Sequence, residues 1–311
     1  DLLKLFHGGF STGHGYLREP QGIASYAALA AIAIQSNQND QHGGQSVPNF
    51  DYSMAPGVAK TYVKEYYDAL AQSLAVRLGI GYADACAIAK NIKKELPAPT
   101  LSNADAFEAE LCKWFTQADD KFGLDGKVLV AAHKNAAETA LASTDKATFQ
   151  AMEALVHNLN TMNSRAGAQV PFSSVNYGTD TSPEGRMVMK NLLLATDNGL
   201  GNGETPIFPV QIFKVKEGIN YNPEDPNYDL FRLAIKTSAK RLFPNFSFID
   251  APFNLEYYKP GDYNTEVAYM GCRTRVMANT YDPTKAVTCG RGNLRFTSIN
   301  LPRLGIRANR D

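Results

Sequence analysis

Hydrophobic and polar positions predict a first half of the chain that is built mainly from helices. The Ala-rich run over residues 23–34 predicts a buried helix from about Gly22 to about Asn39. Residues 1–6, DLLKLF, have a strand-like pattern, and the glycine-rich stretch after them is typical of a loop. The chain is therefore predicted to begin with a short strand and a loop that lead into a helix.

A longer helical region is predicted to follow a loop over residues 41–56. From Pro56 onward, apolar residues recur at the spacing of one helix face, and helical patterns dominate to about Asn160.

Beyond residue 165, predicted strands alternate with predicted helices. Ser182, Pro183 and Glu184 form a favourable helix start, because serine caps, proline suits the first turn and an acid stabilises the positive end of a helix. The alternation predicts an α/β fold with a parallel or mixed sheet. Strands are predicted at AQVPFSSVNYGTD, IFPVQIFKV, AYMGCRTRVMA and LRFTSINL, and a further helix within NPEDPNYDLFRLAIKTSAKRLFP.

Composition narrows the class of protein without identifying it. The chain has 311 residues, 44% of them hydrophobic, and its 31 basic and 31 acidic residues cancel. This balance argues against a general nucleic-acid or membrane-surface binder. The longest apolar run is shorter than the roughly 20 residues that a membrane-spanning helix needs. We find no signal peptide and no linker, so the sequence predicts one cytoplasmic domain over residues 1–311.

Four cysteines and five scattered histidines form no standard zinc spacing, and few cysteines in a large chain suit a reducing cytoplasm. Cys86 and Cys112 fall on apolar faces of predicted helices and are expected to be small buried hydrophobes. Cys272 lies between a glycine and an arginine, and its residues alone leave a structural and a functional role open. A disulfide between Cys272 and Cys289 is disfavoured in a reducing compartment.

Positive charge accumulates near the C-terminal end of a neutral chain. Between residues 271 and 311 there are eight basic residues but only the acids Asp282 and Asp311. Arginine suits phosphate recognition, so the excess indicates either a local anion site or pairing with acids elsewhere. The phosphate-loop motif GxxxxGK[ST] and the dinucleotide-binding pattern are both absent.

Several long motifs, in order along the chain, resemble class III anaerobic ribonucleoside-triphosphate reductases, which are glycyl radical enzymes. The motifs are GGFSTGHGYLREP, AIQSNQNDQHGGQSVPNFDYSMAPGVAKTYVKEY, EALVHNLNTMNSRAGAQVPFSSVNYGTDTSPEGR, GETPIFPVQIFKVKEG, NPEDPNYDLF, MGCRTRV and GRGNLRFTSINLPRLGI.

The resemblance implies a ten-stranded α/β barrel of two five-stranded halves with a finger loop inside it. By motif match, Cys272 at the loop tip would carry the thiyl radical that abstracts the ribose 3′ hydrogen. Asn293 would hydrogen-bond the ribose hydroxyls. Substrate contacts are expected, from position and composition, among Gly44, Gln45, Ser46, Ser173, Ser174, Arg291 and Ser298. Turn formation explains residues 43–46 and 173–174 equally well.

The resemblance also implies a homodimer, with a deoxynucleotide effector bound at the interface between subunits, and ATP as a further effector. Glu19, Lys64 and Tyr67 are the candidate effector residues, although they could equally be ordinary helix-face residues. A radical-SAM iron–sulfur activating enzyme and a reductant, either formate or a dithiol protein, are the implied partners.

The glycyl radical segment with its four-cysteine zinc element, and any N-terminal ATP-binding region, are expected outside these residues. The fragment alone is therefore expected to be inactive. Two alternatives stay open. A lyase of the pyruvate formate-lyase type would carry two adjacent cysteines, whereas Cys272 is followed by Arg273. A nucleotide-binding barrel without catalysis is the other.

Overall fold

The chain is an α/β protein with a parallel sheet and long helices. The computed structural model describes residues 1–13, 15–122, 126–163, 168–272, 274–279, 281–293 and 297–309. The elements of the first half are α1 (Leu2–Phe6), β1 (Phe10–Ser11), β2 (Tyr16–Leu17), α2 (Ile23–Asp40), β3 (Gln45–Val47), α3 (Phe50–Leu78), α4 (Tyr82–Glu95), α5 (Ala104–Phe122) and α6 (Gly126–Thr161).

The second half alternates strands and helices, as the sequence pattern predicts. Its elements are β4 (Ser173–Tyr177), α7 (Pro183–Asn198), β5 (Val210–Val215), α8 (Tyr228–Arg241), β6 (Asn245–Phe248), α9 (Pro252–Leu255), β7 (Ala268–Met270), β8 (Thr274–Val276) and α10 (Leu301–Ala308). The predicted cap of α7 is confirmed, because Ser182 Oγ accepts a hydrogen bond from the N–H of Gly185.

Two predictions about the first half are wrong. Residues 1–6 form a short helix instead of a strand, because Asp1 caps the N–H groups of Leu3 and Lys4 while Leu2 and Phe6, four residues apart, share a buried face.

The prediction of a loop over all of residues 41–56 is also wrong. It contains β3, and α3 begins at Phe50 and carries Pro56 inside it. The side chains of Phe50 and Met54 are fully buried, so tertiary packing extends the helix across a proline that locally disfavours it.

The prediction of a strand over residues 294–301 is wrong for residues 297–301, which the structure describes. Leu294, Arg295 and Phe296 lie outside the described residues, residues 297–300 are not in a strand, and Leu301 begins α10. Asn300 Oδ1 accepts a hydrogen bond from the N–H of Arg303, so it caps α10.

Four parallel strands form the sheet in the order β3-β4-β5-β6, which is also their order along the chain. Side chains alternate between the two faces of each strand. Val175 and Tyr177 of β4 and Phe213 of β5 join the core that packs against the helices. Ser174 and Asn176 of β4 therefore project to the opposite face, which we call the inner face.

A second core joins α4, α5 and parts of α3 and α6 into a helical bundle apart from the sheet. The Tyr66 hydroxyl is 2.9 Å from His133 Nδ1 within it. Cys86 is half-buried at its edge, but Cys112 is exposed, so the prediction of a buried Cys112 is wrong. The buried stripe of α5 is formed by Phe107, Leu111, Trp114 and Phe115, and Cys112 lies beside it.

No helix of the described residues combines the length and the apolar character that crossing a bilayer requires.

Candidate functional site

The candidate site is organised by an antiparallel hairpin that lies on the inner face of the sheet. We call β7, its turn and β8 the cysteine hairpin, because Cys272 lies at the turn. Gly271, just before the cysteine, has a φ of +64°, a left-handed conformation that glycine adopts without strain. Cys272 is exposed, and all four cysteines are free thiols.

The side chain of Asn176 holds the cysteine hairpin to the sheet through hydrogen bonds to the hairpin backbone. Asn176 Nδ2 donates to the carbonyl oxygen of Tyr269 at 2.9 Å, and Asn176 Oδ1 accepts from the N–H of the same residue at 2.8 Å. An asparagine amide carries the donor and the acceptor of a peptide group, so it can bond both groups of one residue. Asn176 is fully buried, which strengthens both hydrogen bonds.

Ser46 and Ser174, which face each other across β3 and β4, extend this attachment. Ser46 Oγ donates to the carbonyl oxygen of Tyr269 at 2.8 Å, and Ser174 Oγ accepts from the N–H of Gly271 at 3.0 Å. The residue adjacent to Cys272 is therefore bonded directly to β4. Polar side chains on the inner face of the sheet therefore bond the backbone of the hairpin.

A buried ion pair fixes the start of the cysteine hairpin. Lys214 Nζ of β5 lies 3.0 Å from Glu266 Oε2, and the two side chains are only 1% and 3% exposed. Lys214 also donates to Asn49 Oδ1 at 2.7 Å, and Thr179 Oγ1 donates to Glu266 at 2.8 Å. A buried pair is tolerated when its remaining hydrogen-bonding groups are satisfied in this way.

Carboxylates lie beside this ion pair at the carboxyl ends of the strands. Asp51 Oδ2 accepts hydrogen bonds from three consecutive N–H groups, those of Gly178, Thr179 and Asp180. Burial raises the pKa of Asp51, while the Lys214 charge and these N–H groups oppose the rise. Burial, followed by repulsion from Asp51, raises the pKa of Asp180 to about 6.

Asn293 reaches the site from a separate stretch of chain. It forms an isolated antiparallel bridge with His42, and its side-chain amide lies against Gly43. A cleft of about 710 Å³ opens beside it along the edge strand β3. Polar residues that line the cleft include Asn37, Gln45, Ser46, Arg291 and Asn293.

The residues predicted to bind substrate fall into separate groups. Gln45, Ser46 and Arg291 line the cleft, and Gln45 is hydrogen-bonded to Asn37 of α2. Gly44 packs against Gly271. Ser174 holds Gly271 through its hydroxyl, as described above.

Among the described residues that line the cleft, neither Ser173 nor Ser298 is present. Ser173 alternates with Ser174 along β4, so its side chain projects to the helix-facing side of the sheet, where it is buried. Ser298 is exposed and is not among the described residues that line the cleft.

The three candidate effector residues have different surroundings. Glu19 forms an ion pair with Lys60 at 2.6 Å. Lys64 is exposed and pairs with its helix neighbours Glu65 and Asp68. Tyr67 is buried in the helical bundle, with its ring 5.4 Å from Lys93 Nζ.

The positive charges near the C-terminal end are spread over several contacts. Arg275 lies over the ring of Phe253 at 5.1 Å, and Lys285 pairs with Asp282 at 3.4 Å. Arg291 lines the cleft, where it donates to the carbonyl oxygen of Val287 at 3.0 Å. Within the described ranges, no group of three or more His, Cys, Asp or Glu side chains is arranged to hold a metal ion.

Sequence reasoning missed the residues that hold the hairpin, namely Asn176, Lys214 and Glu266. A lysine inside the apolar strand IFPVQIFKV was the available signal, because a charge is rarely buried unless it is paired. The partner of Lys214 lies 52 residues away along the chain, so local patterns could not supply it.

We predict that Asn176→Ala destabilises the protein by roughly 2–4 kcal/mol, because both peptide groups of Tyr269 lose a buried partner. Urea unfolding of the chain measures this. Asn135, exposed on α6, is the matched control, and its alanine variant is expected to change the free energy of unfolding by less than about 0.5 kcal/mol. Equal effects of the two variants would mean that Asn176 does not hold the hairpin.

We predict that Asp180 makes the protein less stable as the pH rises from about 4 to about 6. Its folded pKa of about 6 lies above the usual aspartate value, so the folded state keeps a proton that the unfolded chain releases. The difference corresponds to at most about 3 kcal/mol, since one pKa unit is about 1.4 kcal/mol.

The measurement is the free energy of unfolding at several pH values in wild type and in Asp180→Asn. The variant should lose this fall in stability between pH 4 and 6, whereas Asp84→Asn, at an exposed position on α4, should keep it. An unchanged pH profile in Asp180→Asn would contradict the prediction.

Comparison with known proteins shows the family of the chain. A family model described as anaerobic ribonucleoside-triphosphate reductase matches residues 1–311. The enzyme of that name from Enterobacteria phage T4 is 27% identical over 98% of this chain and 40% of its own length. The one from Escherichia coli strain K12 is 24% identical over the whole chain and 34% of its own length.

A third relative of the same name, from Haemophilus influenzae, is 33% identical over 55% of this chain and 23% of its own length. The chain thus spans about a third to two-fifths of the phage and Escherichia coli relatives. Because the family model covers the whole chain, the chain belongs to the anaerobic ribonucleoside-triphosphate reductase family.

Proposed function

We propose that this chain forms the catalytic core of an enzyme that reduces ribonucleoside triphosphates to 2′-deoxyribonucleoside triphosphates by thiyl radical chemistry. Family membership supports the reaction class. The observation that carries the assignment to particular residues is that the turn holding Cys272 and the amide of Asn293 both abut the Gly43–Gly44 segment beside the cleft.

Cys272 is proposed to act as the radical that starts the reaction. Its sulfur, as a thiyl radical, would abstract the 3′ hydrogen of the ribose, so that an S–H bond forms as the C–H bond breaks. Hydrogen-bonded attachment of Gly271 to β4 supports this role, since a reacting atom must be held close to its target.

Asn293 is proposed to bind the ribose hydroxyls while water leaves C2′. Its amide offers a donor and an acceptor, as two neighbouring hydroxyls require. The two electrons for reduction would come from formate, which is oxidised to carbon dioxide, or from a dithiol protein, which is oxidised to a disulfide.

Substrate binding is proposed to use the part of the cleft that lies along β3. Gln45, Ser46 and Arg291 line it, and the Arg291 guanidinium suits a phosphate group. Gly44 and Ser174 contact the turn before Cys272, which favours roles in positioning. The positions of Ser173 and Ser298 described above give them no support as substrate ligands.

The barrel that the family resemblance implies is part of the proposal. Four parallel strands in sequential order, with a hairpin on the inner face, are consistent with one half of a ten-stranded barrel in a single catalytic domain. The inner face would then be the barrel interior.

Several components are proposed to act from outside these residues. A glycyl radical would supply the radical to the thiol, and the exposure of Cys272 would let a radical-bearing loop approach its sulfur. An iron–sulfur activating enzyme, a zinc element near the radical glycine, ATP or deoxynucleotide effectors and a second subunit complete the proposal. Effector roles for Glu19, Lys64 and Tyr67 stay predictions, and the burial of Tyr67 weighs against a direct contact.

We predict that Cys272→Ala abolishes ribonucleotide reduction by the activated full-length enzyme while effector binding is kept, because the substitution removes the thiol proposed to carry the radical. The measurement is deoxynucleotide formation under anaerobic conditions, with effector binding measured separately by equilibrium dialysis.

Cys112→Ala is the control, since Cys112 is exposed on α5, away from the hairpin. It should leave turnover at the wild-type rate. Turnover by Cys272→Ala would refute the radical role and would favour a nucleotide-binding protein or a different catalytic residue.

A further inference from the structure

We propose that Gly43 and Gly44 are positioning residues that set the distance between Cys272 and Asn293. Because neither residue has a side chain, the Asn293 amide and the turn of Cys272 can pack directly against their backbone. We call these two residues the platform. The inference depends on the proposed roles of Cys272 and Asn293, and it changes the role of Gly44 from substrate donor to spacer.

The first contact joins Gly43 to Asn293. Gly43 has a φ of +70°, and a Cβ added there would lie 2.7 Å from Asn293 Nδ2 and 3.4 Å from its Cγ. Real Cβ atoms do not approach other atoms more closely than 3.0 Å. The amide can therefore keep its position only because residue 43 has no side chain. The backbone bridge between His42 and Asn293 fixes the same stretch of chain from the other side.

The second contact joins Gly44 to the turn of the cysteine hairpin. A Cβ at Gly44 would lie 2.8 Å from the Cα of Gly271 and 2.7 Å from Cδ1 of Phe172. Gly44 does not have a left-handed φ, so glycine is not required there by backbone conformation. What requires it is the close approach of the two backbones, one residue before Cys272.

Hydrogen bonds fix both contacts relative to the sheet. Gln45, the next residue, begins β3, and its N–H donates to the carbonyl oxygen of Phe172 at 2.8 Å. Gly271 is held by Ser174 of the neighbouring strand. The platform and the hairpin are thus anchored to adjacent strands.

Covalent geometry then fixes the spacing of the two catalytic elements. Consecutive Cα atoms are about 3.8 Å apart. Asn293 packs against Gly43 and the turn of Cys272 packs against Gly44, so their contact points are separated by one peptide unit. Misplacement of a reacting group by about 1 Å can reduce a rate by about 100-fold. A methyl group at residue 44 would push the turn outward by a distance of that order.

The variant Gly44→Ala tests this directly, because alanine keeps the N–H group and adds only the methyl. In the full-length activated enzyme we expect kcat to fall about 100-fold while KM stays within about threefold of wild type. Loss of a substrate ligand at residue 44 would instead raise KM. We also expect a changed rate of Cys272 alkylation, measured against Cys112 in the same protein. Gly201→Ala is the matched control, since its Cβ would meet nothing within 4 Å.

A second variant separates positioning from folding. Phe172→Leu together with Gly44→Ala relieves the contact with the ring but not the contact with Gly271. We expect this double variant to melt close to the Phe172→Leu single variant and to keep the low kcat. A wild-type kcat in Gly44→Ala, or a kcat in the double variant equal to that of Phe172→Leu, would overturn the positioning role. Loss of folding in both Gly44 variants would also overturn it, in favour of a role in stability alone.

Cys272→Ala distinguishes failure of this inference from failure of the proposed function. If that variant is inactive while Gly44→Ala has wild-type turnover, only the platform is refuted. If Cys272→Ala still turns over, the proposed function itself is refuted.

Discussion

The hydrogen bonds between the Asn176 side chain and both peptide groups of Tyr269 are the interaction on which the rest of the site depends. A hairpin of two three-residue strands has little stability of its own. Its position on the sheet must therefore come from tertiary contacts. Asn176 provides them at the middle of β7, and Ser174 continues them to the residue before Cys272.

This arrangement explains the unusual chemistry of the inner face. Strands of a parallel sheet are commonly apolar on both faces, because both are covered. Here the helix-facing side is mainly apolar, although Ser173 and Gln211 are polar and buried there. The inner face carries Ser174, Asn176 and Lys214. Burying polar groups and a charge costs free energy unless every group is paired. The pairing with Tyr269, Gly271 and Glu266 offsets that cost and fixes one position for the hairpin.

Much of the fold could be predicted from local patterns, and the exceptions have physical causes. The helices α2 and α7 and the strands β4 and β5 follow directly from periodicity and capping residues. The start of α3 could not be predicted, because buried contacts of Phe50 and Met54 outweigh the local effect of Pro56. Local signals for α10 were present but were not used, namely the cap Asn300, a proline in the first turn, and Leu301 and Leu304 at helical spacing.

The candidate site was predictable only in part. Motif resemblance selected Cys272 and Asn293 as candidates, and β3 brings Gln45 and Ser46 to the cleft. Two-residue alternation could have separated Ser173 from Ser174 before the fold was known. The partners of Asn176 and Lys214 could not be found, since each lies more than 50 residues away in sequence. Gly44 was predicted as a substrate contact, whereas the close approach of its backbone to Gly271 exists only in the folded chain.

Side chains of the parallel sheet, and not backbone groups of its four strands, hold the backbone next to Cys272. Native-state amide hydrogen exchange at Tyr269 and Gly271 tests it most directly, because their N–H groups donate to Asn176 Oδ1 and Ser174 Oγ. Both amides should exchange far more slowly than in an unfolded chain, with Ser174→Ala releasing Gly271 selectively. Exchange of both amides at the unfolded rate in the wild-type protein would contradict the account.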